Sequence, residues 1–193
     1  MSTRSVLLSM TLALAFGCQQ AATNHEHVAE APESPAARVV AEAPEPAREL
    51  LPNLREPLPG VISGGQPSPE QLSAARNAGY KTVLNLRLPD EKGIGNEPEI
   101  VAGLGMEYVS LPINGSAGLT RENAEAFAKA LETTEYPLVI HCGSGNRIGA
   151  LFALKAFWVD GVSAEEALQI GLDSGLTRLE GVVSEILASE TEG

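Results

Sequence analysis

The sequence predicts an α/β domain: a central, mostly parallel sheet of about four strands flanked by helices. Three observations carry this. Short apolar runs at Val61–Ser63, Lys81–Leu86, Met106–Leu111 and from Leu138 have the length of core strands. The stretches between them open on helix-capping residues. Strand and helix alternate, which implies right-handed crossovers and parallel pairing.

Each helix has its own signal. Ser68-Pro69-Glu70-Gln71 places Ser at the N-cap, Pro at the first helical position and Gln at the third, and Gly79 ends that helix. Pro98 to Gly103 is a short helix, and Thr120 caps a longer one over Arg121 to Thr134. Ile148 to Val159 is apolar all round and is expected behind the sheet, with Phe157 and Trp158 in the core. Ser163-Ala164-Glu165-Glu166 is a capping box for a helix ending near Gly175, and a last helix is expected from Thr177 to Ala188.

The chain has 193 residues and a formal net charge of −12. That charge argues against nucleic acid as a partner and against attraction to anionic lipid. Residues 1–17 read as an export signal, with Arg4 followed by an apolar run from Val6 to Phe16 that is too short to span a bilayer. Leu14-Ala15-Phe16-Gly17-Cys18 resembles a bacterial lipobox. The resemblance implies a periplasmic protein lipidated at Cys18 and anchored to the outer membrane, so that it meets the membrane only through that anchor. Cleavage at a small residue such as Ala15 is the alternative and would give a soluble secreted protein. Residues 18–57 are rich in Ala, Glu and Pro and read as a disordered linker, leaving 58–193 as the folded domain. His25-Glu26-His27 lies in that linker and reads as solvated tail, so neither metal nor other cofactor is expected.

The stretch with the most chemistry runs from Leu138 through His141-Cys142-Gly143-Ser144-Gly145-Asn146-Arg147 into Ile148. It reads as a buried strand, a glycine-broken loop opening on a cysteine, and a helix starting near an arginine. Successive N–H groups turned inward at a helix N-terminus bind anions. The same field and a nearby guanidinium favour the thiolate of a cysteine. An arginine there can grip two oxygens of a tetrahedral oxyanion. Cys142 is thus the candidate nucleophile, Arg147 the clamp, and Gly143, Ser144, Gly145, Asn146 and Arg147 the candidate phosphate cradle.

The loop resembles the signature of the cysteine-based tyrosine and dual-specificity phosphatases. It has four residues between Cys142 and Arg147 where those enzymes have five, and Ile148 where they carry Ser or Thr. The shorter spacing is similar to that of the phosphatase-like domain of beta-lactamase hydrolase-like proteins, and also to the loop of single-domain rhodaneses. Ser63-Gly64-Gly65-Gln66-Pro67-Ser68 and Thr82-Val83-Leu84-Asn85-Leu86-Arg87 resemble the first half of the phosphatase-like family and not the rhodaneses. The resemblance implies a dual-specificity-phosphatase-like fold, a hydrolase, and a phosphorylated, anionic substrate. It places a general acid, where one exists, in the loop after the third strand, but Pro112 to Gly118 contains no carboxylate.

Arg87 ends the second strand and either faces the cysteine loop or pairs with Asp90 or Glu91. Asp90 or Glu91 could swing in as an acid, though solvated loop charge is the plainer reading. His141, beside Cys142 in a strand, should point to the opposite face and orient the loop through a hydrogen bond. Three functions fit: a phosphatase working through a cysteinyl-phosphate, a rhodanese-like sulfurtransferase or persulfide carrier, and a non-catalytic anion-binding lipoprotein.

Overall fold

The computed structural model describes residues 50–93 and 95–191. The expected export signal, Cys18 and His25-Glu26-His27 lie outside the described residues. Five strands, β1 Arg55–Leu58, β2 Val61–Gly64, β3 Thr82–Asn85, β4 Glu107–Ser110 and β5 Leu138–His141, form one sheet in the order β1-β2-β5-β3-β4. β2, β5, β3 and β4 run parallel, and β1 pairs antiparallel with β2. The helices are α1 Pro69–Asn77, α2 Glu97–Gly103, α3 Arg121–Thr133, α4 Asn146–Trp158, α5 Ala164–Asp173 and α6 Glu180–Thr191.

Alternation along the strands sends side chains to two cores. Leu84 and Ile140 face Phe127 of α3 and Leu151 and Phe152 of α4, with the two phenyl rings edge to face at 5.1 Å. Val83, Val139 and Ile62 face Leu72 and Ala75 of α1. β5 sits in the middle with all four residues buried, so its sequence is a near-continuous apolar run. The caps form as the sequence requires. Ser68 and Gln71 make a reciprocal capping box, and Thr120 and Ser163 each accept from the amide three residues on.

Three expectations change. The sheet has five strands, because β1 forms from a segment assigned to the linker. The linker cannot reach residue 57, since Leu50 and Leu51 are buried against Ile62, Leu72 and Tyr80. Arg55-Glu56-Pro57 looks like solvated spacer because edge strands tolerate charge and proline that central strands reject. Phe157 and Trp158 are half-buried beside α5 and α6, and the Arg121 guanidinium stands 5.1 Å from the Trp158 ring centroid.

α4 and the end of α5 meet backbone to backbone. A Cβ at Gly149 would stand 2.1 Å from Leu176 N and 2.7 Å from Gly171 O, so no side chain fits there. This contact carries the turn at residues 176–179 against the start of α4.

Candidate active site

A cavity of about 620 Å³ opens at the C-terminal ends of β3 and β5, where open α/β sheets hold ligands. Cys142, Ser144, Arg147, Glu91, Asn114 and Arg178 are among its lining residues. The cysteine loop is tied to the β2 end. Cys142 N donates to Gly64 O at 3.2 Å, and Gly65 bridges Ser144.

Cys142 is 1 % exposed, and its Sγ accepts a hydrogen bond from Gly145 N at 3.1 Å. Gly145 has φ 91°, a left-handed turn that glycine adopts without penalty, and it aims its own amide back at the sulfur. No side chain caps α4, so its first amides remain available to an anion.

Arg147 is held by its outer edge. Nη1 and Nη2 donate to the two oxygens of Glu91 at 2.5 and 2.8 Å, and Nη1 also reaches Ile113 O at 3.0 Å and Leu86 O at 3.3 Å. Nε and the second Nη2 proton donate to no oxygen among the described residues, and the guanidinium also has the Cys142 side chain as a hydrogen-bond partner. Nη2 lies beside Gly143, 3.5 Å from where a Cβ would stand. The guanidinium therefore keeps a two-donor edge that no oxygen occupies, beside the loop and within reach of the Cys142 sulfur, the geometry of bidentate oxyanion binding. Burial pulls the Arg147 pKa down, but the Glu91 carboxylate and Cys142 outweigh it and raise it above its ordinary value. Hydrogen bonding from Arg147, with help from Leu88 N and Arg87, holds Glu91 at about 2.

Glu91 is thus neither solvated loop charge nor an acid. It stays ionised and bridges two arginines. Arg87 pairs with it at 3.1 Å but is buried, and it donates to Gln66 Oε1 at 2.5 Å and Lys92 O at 2.6 Å. Among the described residues, Arg87 connects to Arg147 through Glu91. Asp90 is exposed, makes no hydrogen bond among the described residues and does not line the cavity. Asn114 does line it, and with Glu91 ionised no described lining residue can donate a proton as a carboxylic acid.

His141 points to the opposite face, as alternation requires, but it does not orient the loop by a hydrogen bond. Its Nε2 stands 3.2 Å from Glu97 Oε1 without hydrogen-bond geometry, and its Nδ1 has no partner among the described residues. Glu97 accepts instead from Gln66 Nε2 at 2.8 Å and from Tyr108 Oη at 3.3 Å, and Asn85 donates to Tyr108 Oη at 2.8 Å. A buried polar chain therefore runs from Arg147 through Glu91, Arg87 and Gln66 to Glu97. The Asn146 side chain also faces away from the cradle. Its Oδ1 accepts from Thr177 N at 2.8 Å, Thr177 Oγ1 at 3.1 Å and Leu179 N at 3.3 Å. α6 starts at Glu180, three residues later than the sequence suggests.

Sequence reasoning missed Gln66, the clamping role of Glu91, and Arg178. The first two had a signal: Gln66 lies in the Gly-Gln-Pro-Ser stretch, and Glu91 lies four residues after Arg87. Arg178 had none.

The family of the beta-lactamase hydrolase-like protein, phosphatase-like domain, matches residues 54–157. The chain belongs to this family. Beta-lactamase hydrolase-like proteins from two strains of Xylella fastidiosa are each 32% identical over 95 residues, covering 47% of this chain and 22% of theirs. The match thus spans about a fifth of the length of those relatives. Among solved structures, a candidate phosphatase from Shewanella putrefaciens CN-32 superposes with a TM-score of 0.55 at 22% identity, over 72% of this chain and 93% of its own. A cysteine-to-serine form of TpbA from P. aeruginosa, in complex with pTyr, gives 0.54 at 18% identity over 81% and 99%. The shared feature at these identities is the fold. The Ser63–Ser68 and Thr82–Arg87 stretches, which carried the resemblance, both fall inside the family match.

Proposed function

We propose that this chain is a cysteine-dependent phosphatase acting on phosphate esters through a cysteinyl-phosphate. The observation that carries the reading is the oxygen-free edge of Arg147, held by Glu91 within hydrogen-bond reach of the Cys142 sulfur. A tetrahedral dianion bound there takes two donors from Arg147 and the remaining donors from the loop amides. The thiolate attacks phosphorus, the S–P bond forms, and the P–O bond to the leaving group breaks. Water then attacks phosphorus, the S–P bond breaks, and inorganic phosphate and the thiolate are released. The leaving oxygen takes its proton from water, because no described lining residue supplies one. Turnover therefore favours leaving groups stable as anions, aryl phosphates above alkyl phosphates.

Ile148 is fully buried and carries no hydroxyl toward the sulfur, which slows the second step. We further propose export and lipid anchoring at Cys18, which a Cys18→Ala variant lost from the membrane fraction would support. The missing acid and hydroxyl favour one second reading, a module that binds the anion without turnover. The freshly reduced full chain, assayed on an aryl phosphate beside Cys142→Ser, separates the two. Hydrolysis lost in the variant supports the phosphatase, and phosphate binding without hydrolysis supports the binding module.

A further inference from the structure

A second cavity, of about 330 Å³, adjoins the first and shares Ser144 and Arg178 with it. Its other walls include Asn53, Arg55 and Thr177. We propose that it is a subsite for a second phosphate, so that the substrate is a small molecule carrying two phosphate groups. The proposal rests on the phosphatase reading and narrows it to a substrate class.

Charge is the first argument. The chain is strongly acidic, yet no carboxylate lines this second cavity. Arg87, Arg121 and Arg147 each hold a glutamate. Arg55 and Arg178 hold none among the described residues. Arg55 donates once, from Nη1 to Leu54 O at 2.9 Å, and keeps its remaining donors. Two guanidinium groups on one concave wall focus a positive field where an anion would enter, and each suits bidentate contact with phosphate.

Construction is the second argument. Asn146 Oδ1 binds the amides of Thr177 and Leu179, the residues on either side of Arg178. Asn53 Nδ2 donates to Ser144 O at 3.4 Å on the opposite side, and the Arg55 stem passes beside Gly175. Asn146 is also the first residue of α4, whose amides belong to the cysteine cradle. One residue therefore ties the backbone that carries Arg178 to the start of the helix whose amides face the cysteine. A single phosphorylated side chain would fill the first cavity and leave Arg55 unused, whereas a molecule with two phosphates uses both.

The test is binding, so it needs no turnover. The full chain carrying Cys142→Ser is titrated calorimetrically with alkane-α,ω-bisphosphates of two to six carbons, the matching monophosphates, and phosphotyrosine. At least one bisphosphate should bind about tenfold more tightly than its monophosphate. That ratio should fall toward the twofold of simple statistics in both Arg55→Gln and Arg178→Gln, with melting curves confirming that each variant folds. A ratio near two at every length overturns the subsite, as does an advantage that survives both substitutions together. Phosphotyrosine binding more tightly than every bisphosphate also overturns it and leaves the phosphatase reading standing. Binding of no phosphate compound overturns both readings.

Discussion

The two walls of the main cleft are built to different standards. On the Cys142 side every part needed to hold a dianion is fixed: the Gly145 amide on the sulfur, the uncapped start of α4, and Arg147 pinned by Glu91. On the facing side the loop after β4 offers Asn114 and Gly115 and no acid. On the proposed reading, the first wall would stabilise charge at phosphorus, while the second would leave charge on the departing oxygen uncompensated. The site is thus specified for gripping and bond formation and not for expelling a poor leaving group.

The largest effect should come from breaking the strong wall. Arg147→Lys replaces a fork with a point charge and should lower kcat/KM on an aryl phosphate by about 10² to 10³-fold in steady-state assays. Repairing the weak wall comes next. Asn114→Asp supplies a carboxyl group where the proton is missing. It should raise turnover of an alkyl phosphate by up to about 10²-fold, raise that of an aryl phosphate far less, and add a basic limb to the pH profile.

Loosening the clamp is milder. Glu91→Gln keeps the side-chain size but removes the charge and turns one of two accepting oxygens into an NH2 group facing a guanidinium, and should cost about tenfold in kcat/KM. Its pH signature is distinctive. Glu91 is held at about 2 against an ordinary 4.5, so its stabilisation is complete above 4.5 and disappears as pH falls from there through 2. The stability gap between wild type and variant, read from denaturant curves, should close over that window. The smallest effect is on the second step. Ile148→Thr should reduce the initial burst of aryl alcohol relative to steady turnover, while costing about 1 to 3 kcal/mol of stability for a hydroxyl in a fully buried site.

What could be read from the chain follows the reach of the interactions. The capped helices, the parallel strands and the Cys142–Arg147 loop are local patterns, and each formed close to where the sequence puts it. The clamp between Arg147 and Glu91 joins residues 56 apart, and the Asn146 bonds to the 177–179 turn join residues 31 and 33 apart. No periodicity encodes such pairs. His141 shows the boundary within one residue. Strand alternation gave its direction correctly, but its neighbour Glu97 comes from another element. β1 shows the converse, a local pattern that misleads because its charges and proline suit an edge strand as well as a spacer.

The family match ends at residue 157, but the turn carrying Arg178 lies twenty-one residues beyond, pinned to the loop by Asn146 inside the match. Of the two guanidinium groups of the proposed subsite, Arg55 lies inside the match and Arg178 beyond it. A relative that matched this chain over residues 54–157 alone would, on the proposed reading, keep the cysteine loop and Arg55 and lack the Arg178 half of the second-phosphate contact. One half of the grip on a substrate would thus be set by chain that the family resemblance does not cover.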